Sequence, residues 1–116
     1  MAPEIEKSNL AEMVSYQDNS VVSKTLVEKD TGTVTLFAFD EGQGLSEHAA
    51  PFDAMVHVLD GEVEIKISGV PFVLSQGEMI IMPANDPHAL KALKKFKMML
   101  IMIKSTVKYS QIEKSA

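Results

Sequence analysis

The segment GQGLSEHAAPFDAMVHVLDG (residues 42–61), continued by EVEIKIS (62–68) and, after a short gap, by GEMIIMPANDPHALKA (77–92), decides how the chain folds. In residues 62–68, Val63, Ile65 and Ile67 alternate with Glu64, Lys66 and Ser68, the period of a strand with one face on a core and the other in water. Turn residues close it on both sides, Asp60-Gly61 before it and Ser68-Gly69 after it. Further breaks fall at Asp30-Thr31-Gly32, Glu41–Gly44, Gln76-Gly77 and Asn85-Asp86-Pro87, between short runs rich in Val, Ile, Thr and Phe. This rhythm predicts roughly eight strands and no long helix, an all-β domain.

Working outward, Val34, Leu36 and Ala38 alternate with Thr33, Thr35, Phe37 and Phe39, which predicts a strand buried on both sides. Met98 to Ile103 are all apolar, and alternate side chains of a strand point to opposite faces, so one barrel interior cannot absorb them. A second copy of the chain is the simplest cover for the outer face, and a homodimer is expected. The first twenty residues are polar apart from Leu10, Met13 and Val14 and read as an arm or a single helical turn. The organisation predicted is an arm over 1–20, a barrel domain over 21–104 and a polar tail over 105–116.

With 116 residues the chain has room for one core. Its 46% hydrophobic and 23% charged residues fit a folded globular domain. Sixteen acidic against eleven basic residues give a net charge of −5, which repels phosphate backbones and anionic lipid surfaces and argues against nucleic acid and membrane partners. The absence of cysteine excludes disulfides, thiolate metal sites and a cysteine nucleophile. Glu4, Glu6 and Lys7 interrupt the N-terminus where a secretory signal needs an apolar run, so a cytoplasmic location is expected. No glycine-rich phosphate loop and no activated-serine signature is present.

All three histidines lie between residues 48 and 88, among glycines and prolines at fixed intervals. Gly42, His48 and Gly61 keep the spacing of the first cupin motif, with Ala50 in place of its second histidine and Ala54 in place of its glutamate. Gly77, Pro83 and His88 keep the spacing of the second, with Asn85 where a glycine would stand and Ala92 where an asparagine would. The chain from about Thr33 to Ile103 thus resembles the cupin superfamily, as a small single-domain member with a degenerate metal motif. The resemblance implies a double-stranded β-helix of the jelly-roll kind, closing around a pocket into which the motif residues point. Cupins usually hold a divalent metal there on three histidines and a glutamate, and the activities built on that site are diverse.

Two of those ligands remain, His48 and His88, without a carboxylate to offset a divalent charge. One divalent ion of zinc, nickel, iron or manganese, weakly held, is the only cofactor the resemblance implies. Asp53 and His57 are the nearby side chains of suitable type for a third ligand. Strand parity argues against both: with Ala54 inward, Val56 and Val58 are inward too, and Asp53, Met55, His57 and Leu59 face out. A bulge between Pro51 and Met55 would reverse that phase. Glu47 and Asp53 read as solvated charges, and Lys91, Lys94, Lys95 and Lys97 as a solvated turn between late strands.

The function expected first is binding of a small, partly apolar molecule, with His48 and His88 as polar anchors and metal absent or weakly held. Two alternatives stand beside it. One is a metal-dependent enzyme of isomerase or oxygenase type using His48, His88 and a third ligand. The other is a structural or regulatory dimer whose barrel is filled by its own side chains around residues 36, 48, 56, 65, 81 and 88. The sequence does not decide whether the protein is an enzyme.

Overall fold

The computed structural model describes residues 5–105. Among them nine strands form: β1 (Val21–Lys29), β2 (Gly32–Phe39), β3 (Gly44–His48), β4 (Phe52–Asp60), β5 (Glu62–Ile67), β6 (Val70–Ser75), β7 (Met79–Met82), β8 (His88–Ala92) and β9 (Phe96–Lys104). The sequence breaks recur between them, and Ala49–Pro51 and Leu93–Lys95 add two interruptions that carry no glycine. Two antiparallel sheets result, one in the order β1-β2-β9-β4-β7 and the other in the order β3-β8-β5-β6. This is the jelly-roll barrel that the motif spacing implied.

Turn chemistry fixes the register of the pieces. Ser68 (φ 50°) and Gly69 (φ 81°) are consecutive left-handed residues, the geometry that joins β5 to β6 as a tight hairpin. Asn85, at the position of a motif glycine, adopts φ 70°, a conformation asparagine tolerates better than most residues. Gly61 (φ 79°) has a second reason to be glycine: a Cβ there would lie 1.8 Å from the Lys95 carbonyl oxygen.

Between the sheets, Phe39, Val56, Val58, Val63, Ile65, Phe96 and Met98 are fully buried. Phe39 and Phe96 meet edge to face at 4.6 Å, a favoured aromatic geometry. The outer side of the five-stranded sheet carries a second cluster, in which Val14 from the arm packs on Leu36 and Ala38 of β2. Both faces of β2 are therefore covered, as the alternation predicted, and Leu36 belongs to this outer cluster and not to the barrel interior. Ile81 also stands outside, 42% exposed, because it alternates with the inward Met82.

The arm covers part of the outer side of the five-stranded sheet. Its 3-10 turn, Leu10–Glu12, is capped by Asn9, whose side chain accepts from the Ala11 N–H. Leu10, Met13 and Tyr16 pack beside Val14, and Met99 of the apolar β9 run lies in the same cluster. The Tyr16 hydroxyl donates to Asp60 at 2.5 Å, and Lys95 and Lys97 sit over the Tyr16 ring at 5.7 and 5.0 Å. Lys97 also donates to the Ala11 carbonyl. Burial, then the hydrogen bond and charge of Asp60, push the Tyr16 hydroxyl well above its ordinary pKa. The tail beyond Ser105 lies outside the described residues, and no described helix is long and apolar enough to cross a membrane.

Candidate functional site: a histidine pair in the barrel mouth

The end of β3 and the start of β8 are antiparallel neighbours, and their register places His48 opposite His88. The ladder is irregular between Leu45 and His48, so the last residue of β3 is turned toward the barrel mouth. The two Nε2 atoms come within 3.2 Å, with the rings edge to face at 4.4 Å between centroids. His88 is 7% exposed, whereas His48 is open to solvent at the rim.

Each ring is oriented by the same local device. His48 Nδ1 lies 2.9 Å from the Ser46 carbonyl and His88 Nδ1 lies 3.3 Å from the Asp86 carbonyl, in both cases two residues back along the chain. A carbonyl only accepts, so each Nδ1 carries a proton. The two Nε2 atoms then face one another at hydrogen-bond distance. Burial, and next the charge of His48, hold the His88 pKa below the ordinary histidine value, while the Asp86 contact acts the other way. A nitrogen pair at this distance is bridged by a proton or by a metal cation.

The separation suits a cation. At Zn–N distances of about 2.0–2.1 Å, two imidazoles on one tetrahedral ion place their nitrogens roughly 3.3 Å apart. Ligating histidines also commonly donate their other N–H to a backbone carbonyl, which both do here. The remainder of the family's ligand set does not fit. Ala54 and Ala50 occupy the other two positions, and the described residues hold no group of three or more His, Cys, Asp or Glu arranged around an ion.

The two side chains considered as replacements are not brought to the pair. Across Phe52 to Val58, β4 keeps unbroken register with β9, and its irregularity falls between Val58 and Asp60. No bulge resets the phase before His57, which pairs with Met99 and Met79 on the outward face while Val56 and Val58 are buried. Asp53 instead accepts the Ala84 N–H at 2.9 Å, holding the loop that leads to Asn85.

Inside the mouth is a cavity of about 40 Å³ lined by His48, His88, Ala54, Met82, Met98, Met102 and three leucines. Apart from the histidines this lining is apolar. Its volume admits an ion with a water or two, and is far below the roughly 300 Å³ at which pockets for drug-sized organic molecules begin. The thioether lining is the part of the site that the motif spacing does not mark. The parity of Met82, Met98 and Met102 within their strands was a usable signal.

The cupin domain family model matches residues 35–104, more than half of the chain. A conserved protein of unknown function from Streptococcus pyogenes is 34% identical, with a TM-score of 0.85 over 91% of this chain and 93% of that one. A cupin 2 conserved barrel domain protein from Leptotrichia buccalis is 46% identical, with a TM-score of 0.82 over 84% of this chain. The present chain spans only 47% of that protein's length. A cupin superfamily protein from Desulfitobacterium hafniense is 27% identical, with a TM-score of 0.83 over 89% of this chain and 94% of that one. A search of curated proteins returned no match. The chain belongs to the cupin family.

Proposed function

We propose that this protein is a metal-binding cupin that holds one cation at the His48 and His88 Nε2 atoms. The observation that carries the reading is the 3.2 Å approach of two Nε2 atoms whose rings are both held at Nδ1 by backbone carbonyls. A cation between them makes two coordinate bonds without reorienting either ring. With two neutral ligands and no carboxylate, a divalent ion of zinc, nickel, iron or manganese is held weakly and keeps water in its remaining positions. The reading assigns binding and no reaction.

The test is equilibrium titration of metal-free protein with Zn(II) or Ni(II), in parallel with His48→Ala and His88→Ala. One ion per chain in the native protein, lost in both variants, is the expected result. Equal binding in all three proteins overturns the reading.

A small, partly apolar molecule anchored by the same histidines is favoured by one observation, the apolar remainder of the lining. Methionine side chains are adaptable enough to make room for it. Calorimetry with short aliphatic carboxylates and alcohols separates the two occupants, because the cation reading predicts no heat from them.

We also propose that the chain pairs with itself through the outer side of its five-stranded sheet. The arm covers only part of that side. Register places Val34, Ile101, Met55 and Ile81 in one apolar row across β2, β9, β4 and β7, with Ile103 60% exposed beside it.

A further inference from the structure

The donor atoms around the cavity differ in kind from the family's usual set, and the difference has a direction. β4 runs between β7 and β9, and the register places Met82 and Met102 on either side of Ala54. Ala54 stands where the family's glutamate would be. The residue that would have brought an anionic oxygen is a methyl group, and the two residues flanking it carry thioethers. Met82, Met102, His48 and His88 line the same cavity.

Three physical arguments bear on what this set prefers. Thioether sulfur and imidazole nitrogen are soft to borderline donors, the combination that selects cuprous copper over hard divalent ions. All four are neutral, so none offsets the second charge of a divalent cation in an apolar cavity. The cost of transferring an ion out of water rises with the square of its charge, and a monovalent ion escapes most of that penalty. Methionine side chains are also unbranched and pliable, and can close on an ion that accepts low coordination numbers.

We propose that the interior site is selective for a soft monovalent cation, holding one cuprous ion between the Nε2 atoms of His48 and His88 and the thioethers of Met82 and Met102. The proposal rests on the reading of the histidine pair as a metal site and specifies the class of metal. The net charge of −5 on the chain favours approach of any cation and contributes nothing to this selectivity.

The experiment is anaerobic titration of the full-length, metal-free protein with Cu(I) in competition with a chromogenic cuprous chelator, alongside the same protein titrated with Zn(II). Three variants accompany it: His48→Ala, the double variant Met82→Leu/Met102→Leu, and Met79→Leu as an outward-facing control. Methionine to leucine conserves volume, and a thermal melt confirms that each variant folds. The expected result is one Cu(I) per chain, bound in preference to Zn(II), with sulfur and nitrogen both in the copper X-ray absorption shell. In the double methionine variant, cuprous binding weakens by about tenfold or more, the scale on which supporting groups act on metal affinity. Zn(II) binding there is unchanged, and Met79→Leu matches the native protein.

If His48→Ala loses both metals while the double methionine variant moves neither and no sulfur scatterer is seen, the histidine site stands and its soft character is refuted. If neither metal binds through His48, the underlying reading fails and this proposal with it.

Discussion

At the scale of single residues, backbone conformation ties the second cupin motif to this chain. Asn85 holds φ 70°, so Asn85→Ala is expected to cost about 1 kcal/mol in chemical denaturation, while Asn85→Gly is neutral or slightly stabilising. Gly61→Ala meets both a positive φ and the Lys95 carbonyl, and a loss of at least about 3 kcal/mol is expected by the same measurement. Asp40 gives the pH dependence. The N–H groups of Asn19 and then Glu41 donate to its carboxylate, and with the more distant Lys95 charge they hold its pKa below the ordinary 3.8. A carboxyl depressed on folding contributes stability that is present above its unfolded value and lost as pH falls through the folded one. Carbon-detected NMR should therefore give Asp40 a midpoint below 3.8, and Asp40→Asn should flatten the acid limb of the stability curve; a midpoint at or above 3.8 would contradict this.

Among the elements, the arm and β4 show what the sequence revealed and what it concealed. Inward Ala54, Val56 and Val58 were legible because parity is a local property of one strand, and the same parity correctly kept His57 on the outer face. Leu36 and Ile81 were assigned to the barrel interior, which parity within their own strands cannot settle, because which face of a strand looks inward depends on its neighbours. The arm was opaque for a related reason: Leu10, Met13 and Val14 have no period long enough to specify a partner, and only the fold brings β2 beneath them. Val14 is 4% exposed, so Val14→Ala is expected to lower stability by about 2 kcal/mol. Tyr16→Phe removes one hydrogen bond to Asp60 at a cost of about 1 kcal/mol. Thermal melts of the two variants check both, and a Val14→Ala melt identical to the native one would show that the arm contributes nothing.

For the whole molecule, the two sheets divide the work. Their inner faces bury the core and leave a small cavity at the end where His48 and His88 meet, while the outer face of the five-stranded sheet remains partly apolar. The histidine pair was legible because the motif spacing is kept where Ala50 and Ala54 replace other motif residues. The methionine lining was not, because a thioether on a strand reads as core until the neighbouring strands are known. The proposed pairing through the outer face predicts a dimeric mass by light scattering at micromolar concentration. Ile81→Glu, at an exposed position that leaves the core untouched, should shift that mass toward the monomer. A native protein that is monomeric throughout would refute the pairing and leave the interior site unaffected.

The central claim, that the paired imidazoles hold a cation, is tested most directly by an anomalous difference map from crystals of metal-loaded protein. The account predicts one peak in the barrel mouth within about 2.0–2.3 Å of both the His48 and His88 Nε2 atoms, with both Nδ1 atoms still on their carbonyls. A mouth without a peak, or a metal bound elsewhere while the two nitrogens stay in direct contact, would contradict it.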